Sequence, residues 1–269
     1  MCRHLTYNAH KGTDFALHSD VSMQDGVSVL AASDGVVIGL RNSMLDIRSN
    51  APQAPALGGQ ECGNGVVLDH GDGWETQYCH LKKGSVTQSL GQSVQAGEVL
   101  GEVGLSGQTE FPHLHLSIRK DGQVVDPFTP KHATCGSYSS AEALWQQPID
   151  YVPAGLISIG FADAIPDFSN ISKGTAHIKV LPTQTPALVL FASVFGASDD
   201  LSLGFRIEGP DGVFHEAKAS FETDQAQAFR ASGRKVNSTL APGIYQGTVT
   251  LLRGNQIIGH RRVDVTITK

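Results

Sequence analysis

The order of apolar and polar positions along the chain predicts a protein built mainly from short β-strands. Segments 27–41, 65–81 and 113–128 place Val, Ile and Leu between turns rich in Gly and Asp, which is typical of strands and hairpins. Folding segment 65–81 about Gly71 places residues whose numbers sum to about 142 opposite one another. Asp121-Gly122 predicts a second hairpin turn. One short helix is predicted over residues 139–145, capped by Ser139 or Ser140.

Two further regions complete this pattern. Residues 42–61 contain Pro, Gly and Asn without a clear period, which predicts an ordered surface loop or a lid. From about Leu156 onward, apolar segments recur between regular turn signals, as in an antiparallel sandwich of Ig or fibronectin type. We therefore predict a first β domain over 1–133, a linker with the short helix over 134–153, and a β-sandwich domain over 154–269.

Composition narrows the class of protein. Charged residues make up 17% and hydrophobic residues 40% of the 269 residues, which excludes a disordered chain or a coiled coil. A net charge of −6 does not fit a nucleic-acid-binding surface, and no apolar run reaches the ~18 residues of a membrane span. All four cysteines and 8 of the 11 histidines lie in residues 1–150, so we look for the chemistry there.

The cysteines suggest disulfides rather than a zinc knuckle, because none of them has C-x-x-C spacing. Cys62 and Cys79 flank the hairpin and are expected to form one bridge, and Cys2 and Cys135 a second, with free thiols as the alternative. Disulfides favour an oxidising compartment, so we expect a periplasmic or secreted protein. The first residues contain no signal peptide and begin close to the first motif, so we expect an incomplete start.

Three short histidine elements suggest a metal centre. His10 and Asp14 form H-x-x-x-D, His80 ends a predicted strand, and His113 and His115 form H-x-H in another strand. Residues i and i+2 of a strand share a face, so the last two imidazoles project together. A catalytic zinc takes three such ligands and keeps one position for water. His10, Asp14 and one H-x-H histidine supply that set, and two histidines remain for proton transfer.

The joint order of these elements resembles the lysostaphin/LytM-type zinc metallopeptidases, which are peptidoglycan endopeptidases. The resemblance covers about residues 8–128 and rests on HKGTD, GNGVVLDHGDGWETQYCHL, GQSVQAGEVLGEVGLSG and PHLHL. It implies an antiparallel β-sheet domain with an open groove and a peptidoglycan peptide as substrate. The chain departs from the family pattern at Phe111, where a small residue is usual, at Cys79, where Ala is common, and in the longer stretch 42–61. These departures affect groove shape and peptide preference.

The resemblance also implies a role for each motif residue. His10, Asp14 and His115 match the ligands of one zinc ion, and His80 and His113 match two catalytic histidines that do not bind the metal. Such a zinc lowers the pKa of its water towards neutrality, and a histidine accepts the proton as the water attacks the peptide carbonyl. The residues leave open which of His80 and His113 is the general base.

Three other classes of protein are alternatives to this interpretation. A non-catalytic LytM-like protein that binds the wall or activates an amidase would typically lack one of the five residues. A thiol peptidase using Cys79 is disfavoured because neighbouring strand residues point to opposite faces. A lipoyl or biotinyl carrier needs a lysine at its hairpin tip, and residues 91–104 contain none. The second domain shows no catalytic cluster, so we expect it to contact wall, glycan or protein, or to restrict the groove.

Overall fold

The computed structural model describes residues 10–130, 141–147, 149 and 152–269. The chain divides into two compact units, the first ending at residue 151 and the second beginning at Val152. Both are mainly β with antiparallel sheets, as the pattern predicted. Within the described residues, no helix has the length and apolar character that a membrane crossing requires. The finer division into 1–133, 134–153 and 154–269 stays a prediction.

The elements of the first unit are short and joined by glycine-rich turns. Its strands and helix are β1 Thr13–Ala16, α1 Asp20–Gln24, β2 Ser28–Leu30, β3 Gly35–Arg41, β4 Asn64–Asp69, β5 Trp74–Leu81, β6 Ser93–Val94, β7 Val99–Glu102, β8 His113–Lys120 and β9 Gln123–Val125. Within residues 10–130, seven strands form one sheet in the order β1-β8-β5-β4-β3-β6, with β9 beside β8, and β2 pairs with β7. The order places β8 between β1 and β5, so all three histidine elements meet at neighbouring strands.

The core of this sheet is formed by the apolar positions that alternate with polar positions along the strands. Val66, Leu68, Tyr78 and Leu116 are buried among the neighbouring strands and pack with Leu81 and Leu100 in one cluster. The opposite positions of β8 carry His113 and His115 instead. Because the apolar face anchors the strands, the histidine face is held in a fixed register.

Both predicted hairpins are present, but one turn is displaced. In β4 and β5, Val66 pairs with Tyr78 and Val67 with Gln77, so the paired numbers sum to 144 rather than about 142. The turn is centred at Asp72 because a four-residue connection leaves His70 bonded to Trp74. The second hairpin turns at Asp121-Gly122 as predicted, and the positive φ values of both residues fit a two-residue turn.

Two other predictions have different outcomes. Residues 42–61 form an ordered loop, in which Asp46 bridges to Ser106 and the Ser49 N–H donates to the Thr109 carbonyl. The predicted helix over 139–145 is not seen in its described part, because residues 141–147 form turns and bends. Ser139 and Ser140 lie outside the described residues. Trp145 packs against Phe15 and Phe128, and these aromatic contacts stabilise a non-helical conformation of the segment.

The second unit contains the strand segments predicted after residue 154. Its elements are β10 Gly155–Ala162, α2 Phe168–Lys173, β11 Val180–Pro182, β12 Ala187–Ala197, β13 Leu201–Gly209, β14 Gly212–Ser220, β15 Gln225–Lys235, β16 Gly243–Arg253 and β17 Gln256–Thr268. Over residues 152–269, one sheet has the order β10-β12-β15 and the other β11-β17-β16-β13-β14. Phe161, Leu190, Phe205 and Val249 from both sheets share one buried core. The Ig or fibronectin assignment of this unit stays a prediction.

Candidate metal centre

The H-x-x-x-D and H-x-H elements meet because β1 pairs with β8. In the antiparallel register, Asp14 lies opposite His115 and Ala16 lies opposite His113. His10 precedes β1 and folds back against the same face, with its ring edge-on to the His115 ring at 4.7 Å between centroids. The structure therefore places three of the predicted site residues in one cluster.

The donor atoms of this cluster fit a metal ion. His10 Nε2 lies 3.0 Å and His115 Nδ1 lies 2.8 Å from Asp14 Oδ1. Within the described residues the three donors all lie within 4.8 Å of one another. Tetrahedral zinc with bond lengths near 2.0–2.1 Å separates its ligands by about 3.3 Å. Two imidazoles and one carboxylate at these separations can hold zinc with little rearrangement.

A glycine makes this close approach possible. A Cβ added at Gly12 would lie 2.6 Å from His115 Nε2 and 2.6 Å from the Leu116 carbonyl oxygen. Side chains essentially never tolerate such distances, so any larger residue would displace the segment between His10 and Asp14. The sequence alone does not reveal this contact, because it depends on a strand about 100 residues away.

The electrostatics of Asp14 suit a metal ligand. Burial raises the pKa of Asp14, but hydrogen bonds from His10 and His115, together with the charge of His113, more than offset it. The pKa of this carboxyl therefore lies well below its ordinary value. Asp14 is ionised at neutral pH, and the ionised form is the one that binds a metal.

His80 belongs to the same site but is held by an irregular piece of strand. Pairing between β4 and β5 shifts register between Asn64 and Val66, which leaves one extra residue on β5 at Cys79–His80. His80 has a φ of 62°, in the left-handed region that residues with a Cβ rarely adopt. Its imidazole lies against His113, with 4.6 Å between ring centroids. A β-bulge therefore aims this histidine at the cluster.

The remaining nitrogens of both histidines are oriented by backbone carbonyls. His80 Nδ1 donates to the Ser106 carbonyl oxygen at 2.8 Å, and His113 Nδ1 donates to that of Phe111 at 2.9 Å. Each imidazole thus carries its proton on Nδ1 and keeps a lone pair on Nε2. His113 Nε2 lies 3.6 Å from Asp14 Oδ1, so this lone pair is on the side of the metal cluster. Sequence reasoning did not find these two carbonyls, because backbone acceptors leave no residue signature.

Both histidines favour the neutral form. Burial lowers the pKa of His80 to about 4, assisted by the charge of His113 and opposed by the bond to Ser106. Burial also lowers the pKa of His113, against the attraction of Asp14. Neutral imidazoles can accept a proton, and their 7% and 5% exposure keeps bulk water away.

Phe111 lies directly on the second of these histidines. Its ring stacks on the His113 ring at 4.6 Å between centroids and 30° between planes. The buried Thr109 adds a contact of 3.1 Å from its hydroxyl to His113 Nδ1. The residue that departs from the family pattern at this position therefore supports a site histidine and also forms part of the surface next to it.

One of the two predicted disulfides lies beside the site. Cys62 and Cys79 are bonded, with 4.8 Å between their Cα atoms, as predicted from the hairpin. Cys79 is buried and directly precedes His80, while its strand partner in β8 is His115. Cys2 and Cys135 lie outside the described residues, so that pairing stays a prediction.

The loop over 42–61 is anchored to the segment that supports His80. Arg48 makes a two-pronged ion pair with Asp20, with distances of 2.8 and 2.6 Å, and also donates to the Glu110 carbonyl. The Asp46 carboxylate accepts from the Lys83 and Leu105 N–H groups. Apolar side chains of the loop line a small cavity with Gly107: Met44, Leu45, Ile47, Ala54, Pro55 and Leu57. The loop is therefore anchored at several points and is not a freely hinged lid.

The other first-half histidines do not join the cluster where they are described. His70 bonds to the Asp34 carbonyl and to the Thr76 hydroxyl, so its ring stabilises the hairpin turn. His18 is exposed. His4 and His132 lie outside the described residues.

Comparison with known proteins identifies the first unit. Residues 8–127 match the family model described as Peptidase family M23. The chain is 34% identical over 122 residues to DD-carboxypeptidase/endopeptidase Mpg of Neisseria meningitidis, which covers 45% of this chain and 23% of that protein. It is 36% identical over 117 residues to peptidoglycan DD-endopeptidase ShyA of Vibrio cholerae, covering 44% and 22%. The chain thus spans less than a quarter of these relatives.

A solved structure shows the same local similarity. The crystal structure of a zinc containing peptidase from Vibrio cholerae shares 28% identity, with a TM-score of 0.32, covering 43% of this chain and 28% of that one. The match of residues 8–127 to the model of Peptidase family M23 confirms the resemblance inferred from the motifs.

Proposed function

We propose that the chain is a zinc-dependent metalloendopeptidase that hydrolyses peptide bonds in the cross-links or stem peptides of peptidoglycan. The observation that supports this most strongly is the convergence of five predicted residues on one face of the sheet. His10, Asp14 and His115 present a metal-binding set, and His80 and His113 stand beside it with neutral imidazoles. A wall-binding protein without catalytic activity does not require a metal-binding set with two neutral histidines beside it.

The two groups of residues have different proposed roles. His10 Nε2, Asp14 Oδ1 and His115 Nδ1 would hold one zinc ion. When bound, zinc lowers the pKa of a water ligand from 15.7 towards about 7 and polarises a carbonyl oxygen. His80 and His113 each offer a free Nε2, because their Nδ1 protons are committed to backbone carbonyls. One imidazole would accept the proton of the attacking water, and the other would stabilise the charge that develops on the substrate oxygen.

The relatives and the disulfide support a proposed substrate class and location. ShyA is named a peptidoglycan DD-endopeptidase, and we extend that substrate class to this chain. The Cys62–Cys79 bond supports an oxidising compartment, so we propose a periplasmic or secreted enzyme. Contact of the second unit with wall, glycan or protein stays a prediction.

The test separates metal binding from turnover. The purified full chain is incubated with isolated sacculi, first in the presence of a chelator and then after zinc is added back. The released products are identified by mass spectrometry, and the zinc content of each protein sample is quantified. Chelation should abolish cleavage and zinc should restore it. His115→Ala should lose zinc, whereas His80→Ala should keep zinc and lose about 10²–10⁴-fold in kcat. The exposed His18→Ala is the matched histidine control and should keep both.

Two results would contradict the proposal. Full zinc content in His115→Ala would overturn the ligand assignment. Zinc-loaded wild-type protein that binds sacculi but releases no peptide would favour the wall-binding or amidase-activating alternative, and addition of an amidase to the same assay would distinguish those two.

A further inference from the structure

The backbone around His80 departs from the regular ladder and depends on a few specific contacts. The His80 N–H donates to the Cys62 carbonyl at 2.8 Å, and the His80 carbonyl accepts from the Gly104 N–H at 2.9 Å. With the imidazole bond to Ser106, these contacts hold a residue whose φ of 62° is unfavourable for any side chain. A strained conformation persists only where its surroundings over-determine it.

The disulfide joins the two ends of this arrangement. Cys62 supplies the carbonyl that accepts from His80, and Cys79 is the residue just before it, so one covalent bond ties the acceptor segment to the bulge. The space is tight: a Cβ at Gly65 would lie 3.1 Å from Cys62 Sγ and 2.3 Å from the Tyr78 carbonyl oxygen. The cross-link therefore fills the gap where the β4–β5 ladder is interrupted.

The metal-binding set does not share this dependence. His10 precedes β1, Asp14 lies within β1, and His115 lies in β8, whose pairing with β1 is regular. Cys79 pairs with His115 in the β5–β8 ladder, but this is backbone pairing, which does not require the S–S bond. Its loss should therefore move His80 while the three ligands stay in place.

From this geometry, and building on the proposed peptidase function, we propose that the Cys62–Cys79 disulfide is a positioning element for His80. It holds the bulge in the conformation that directs His80 Nε2 to the reacting atoms. Turnover then requires this pair to be oxidised, and zinc binding does not.

The first test uses the full chain with Cys62→Ala/Cys79→Ala. We expect kcat to fall by at least about tenfold, with KM changed by less than about twofold and zinc content unchanged. Leu203→Ala is the control, because it removes fully buried methyl groups from the second unit, which holds none of the five site residues. This control should lower the melting temperature and leave kcat unchanged. Unchanged kcat in the double alanine variant would overturn the proposal.

A second measurement does not require activity. In zinc-free protein, amide hydrogen exchange at His80 and Gly104 should be at least about tenfold faster in the double variant than in wild type, while the β1–β8 amides stay unchanged. If wild type shows no peptidase activity, the proposed function fails, but this exchange comparison still decides the positioning proposal. Equal exchange rates at His80 and Gly104 would overturn it.

A third measurement applies if the double variant does not fold. Folded wild type is treated with a water-soluble phosphine, which becomes a phosphine oxide by taking oxygen from water. The two electrons and two protons released convert the S–S bond into two thiols. Turnover should fall while zinc is retained, and glutathione disulfide, reduced to two glutathione thiols as the S–S bond re-forms, should restore it. Full activity of protein whose two thiols are verified by mass spectrometry would contradict the proposal.

Discussion

At the scale of single residues, the site depends on two positions that perform no chemistry themselves. Gly12 permits the His10 segment to lie against His115, and Phe111 covers one face of His113. Both residues affect how accurately the nitrogen atoms of the site histidines are placed. Metal and catalytic sites lose performance from displacements of a fraction of an ångström, so changes at these positions should be measurable without unfolding the protein.

Gly12→Ala should weaken zinc binding by about 10–100-fold, the range seen when the support of a ligand is lost. The physical reason is the 2.6 Å approach that its Cβ would make to His115. Zinc affinity is measured by competition with a chromophoric chelator. Gly39→Ala is the control, because its Cβ would meet Val67 at an ordinary 3.6 Å. An unchanged zinc affinity in Gly12→Ala would show that the segment moves without cost.

Phe111→Ala should lower kcat by up to about tenfold with zinc content retained, because a stacked ring pair contributes roughly 0.5–1.5 kcal/mol. Phe111→Leu restores apolar contact without the stack and should lie between wild type and Ala. Steady-state kinetics on a defined cross-linked peptide distinguish this from a substrate-binding role: a change confined to KM would assign Phe111 to the groove instead.

At the scale of elements, Arg48 anchors the loop over 42–61 through contacts with residues outside the loop. Arg48→Ala should lower the free energy of unfolding by about 1–2 kcal/mol, since it removes hydrogen bonds to a partly buried carboxylate and to a carbonyl. Limited proteolysis should then cut within 42–61 sooner than in wild type. Arg206→Ala, which breaks two exposed ion pairs in the second unit, should change stability by less than about 0.5 kcal/mol. Equal effects of the two variants would contradict an anchored loop.

The sequence predicted elements and motifs well because these signals are local. Strand alternation marked β4, β5 and β8, and the H-x-H spacing placed two imidazoles on one face. Features that depend on distant pairing were not predictable, such as the bulge at His80. A propensity scale contains no information on the pairing of Arg48 with Asp20, 28 residues away. The turn at Asp72 rather than Gly71 shows the same limit, because register depends on the final pairing.

At the scale of the whole molecule, each unit has its own buried core: residues such as Leu68 and Leu116 in the first, and Leu203 and Val249 in the second. Calorimetry of the full chain should therefore show two transitions, and zinc should raise the melting temperature of one only, because only the first unit holds the proposed ligands. Leu203→Ala should lower the other transition and identifies it. A single transition that zinc shifts as a whole would contradict independent units.

The pairing of β1 with β8 also has a consequence for how the chain is made. Asp14 and His115 are 101 residues apart, and among the strands that the structure describes β1 pairs with β8 alone. At about 5–20 residues per second, a ribosome adds the third donor roughly 5–20 s after the first two. Until His115 has been synthesised, the nascent chain holds at most two of the three donors. Metal acquisition by the full three-donor set is thus delayed until nearly the whole first unit has been synthesised.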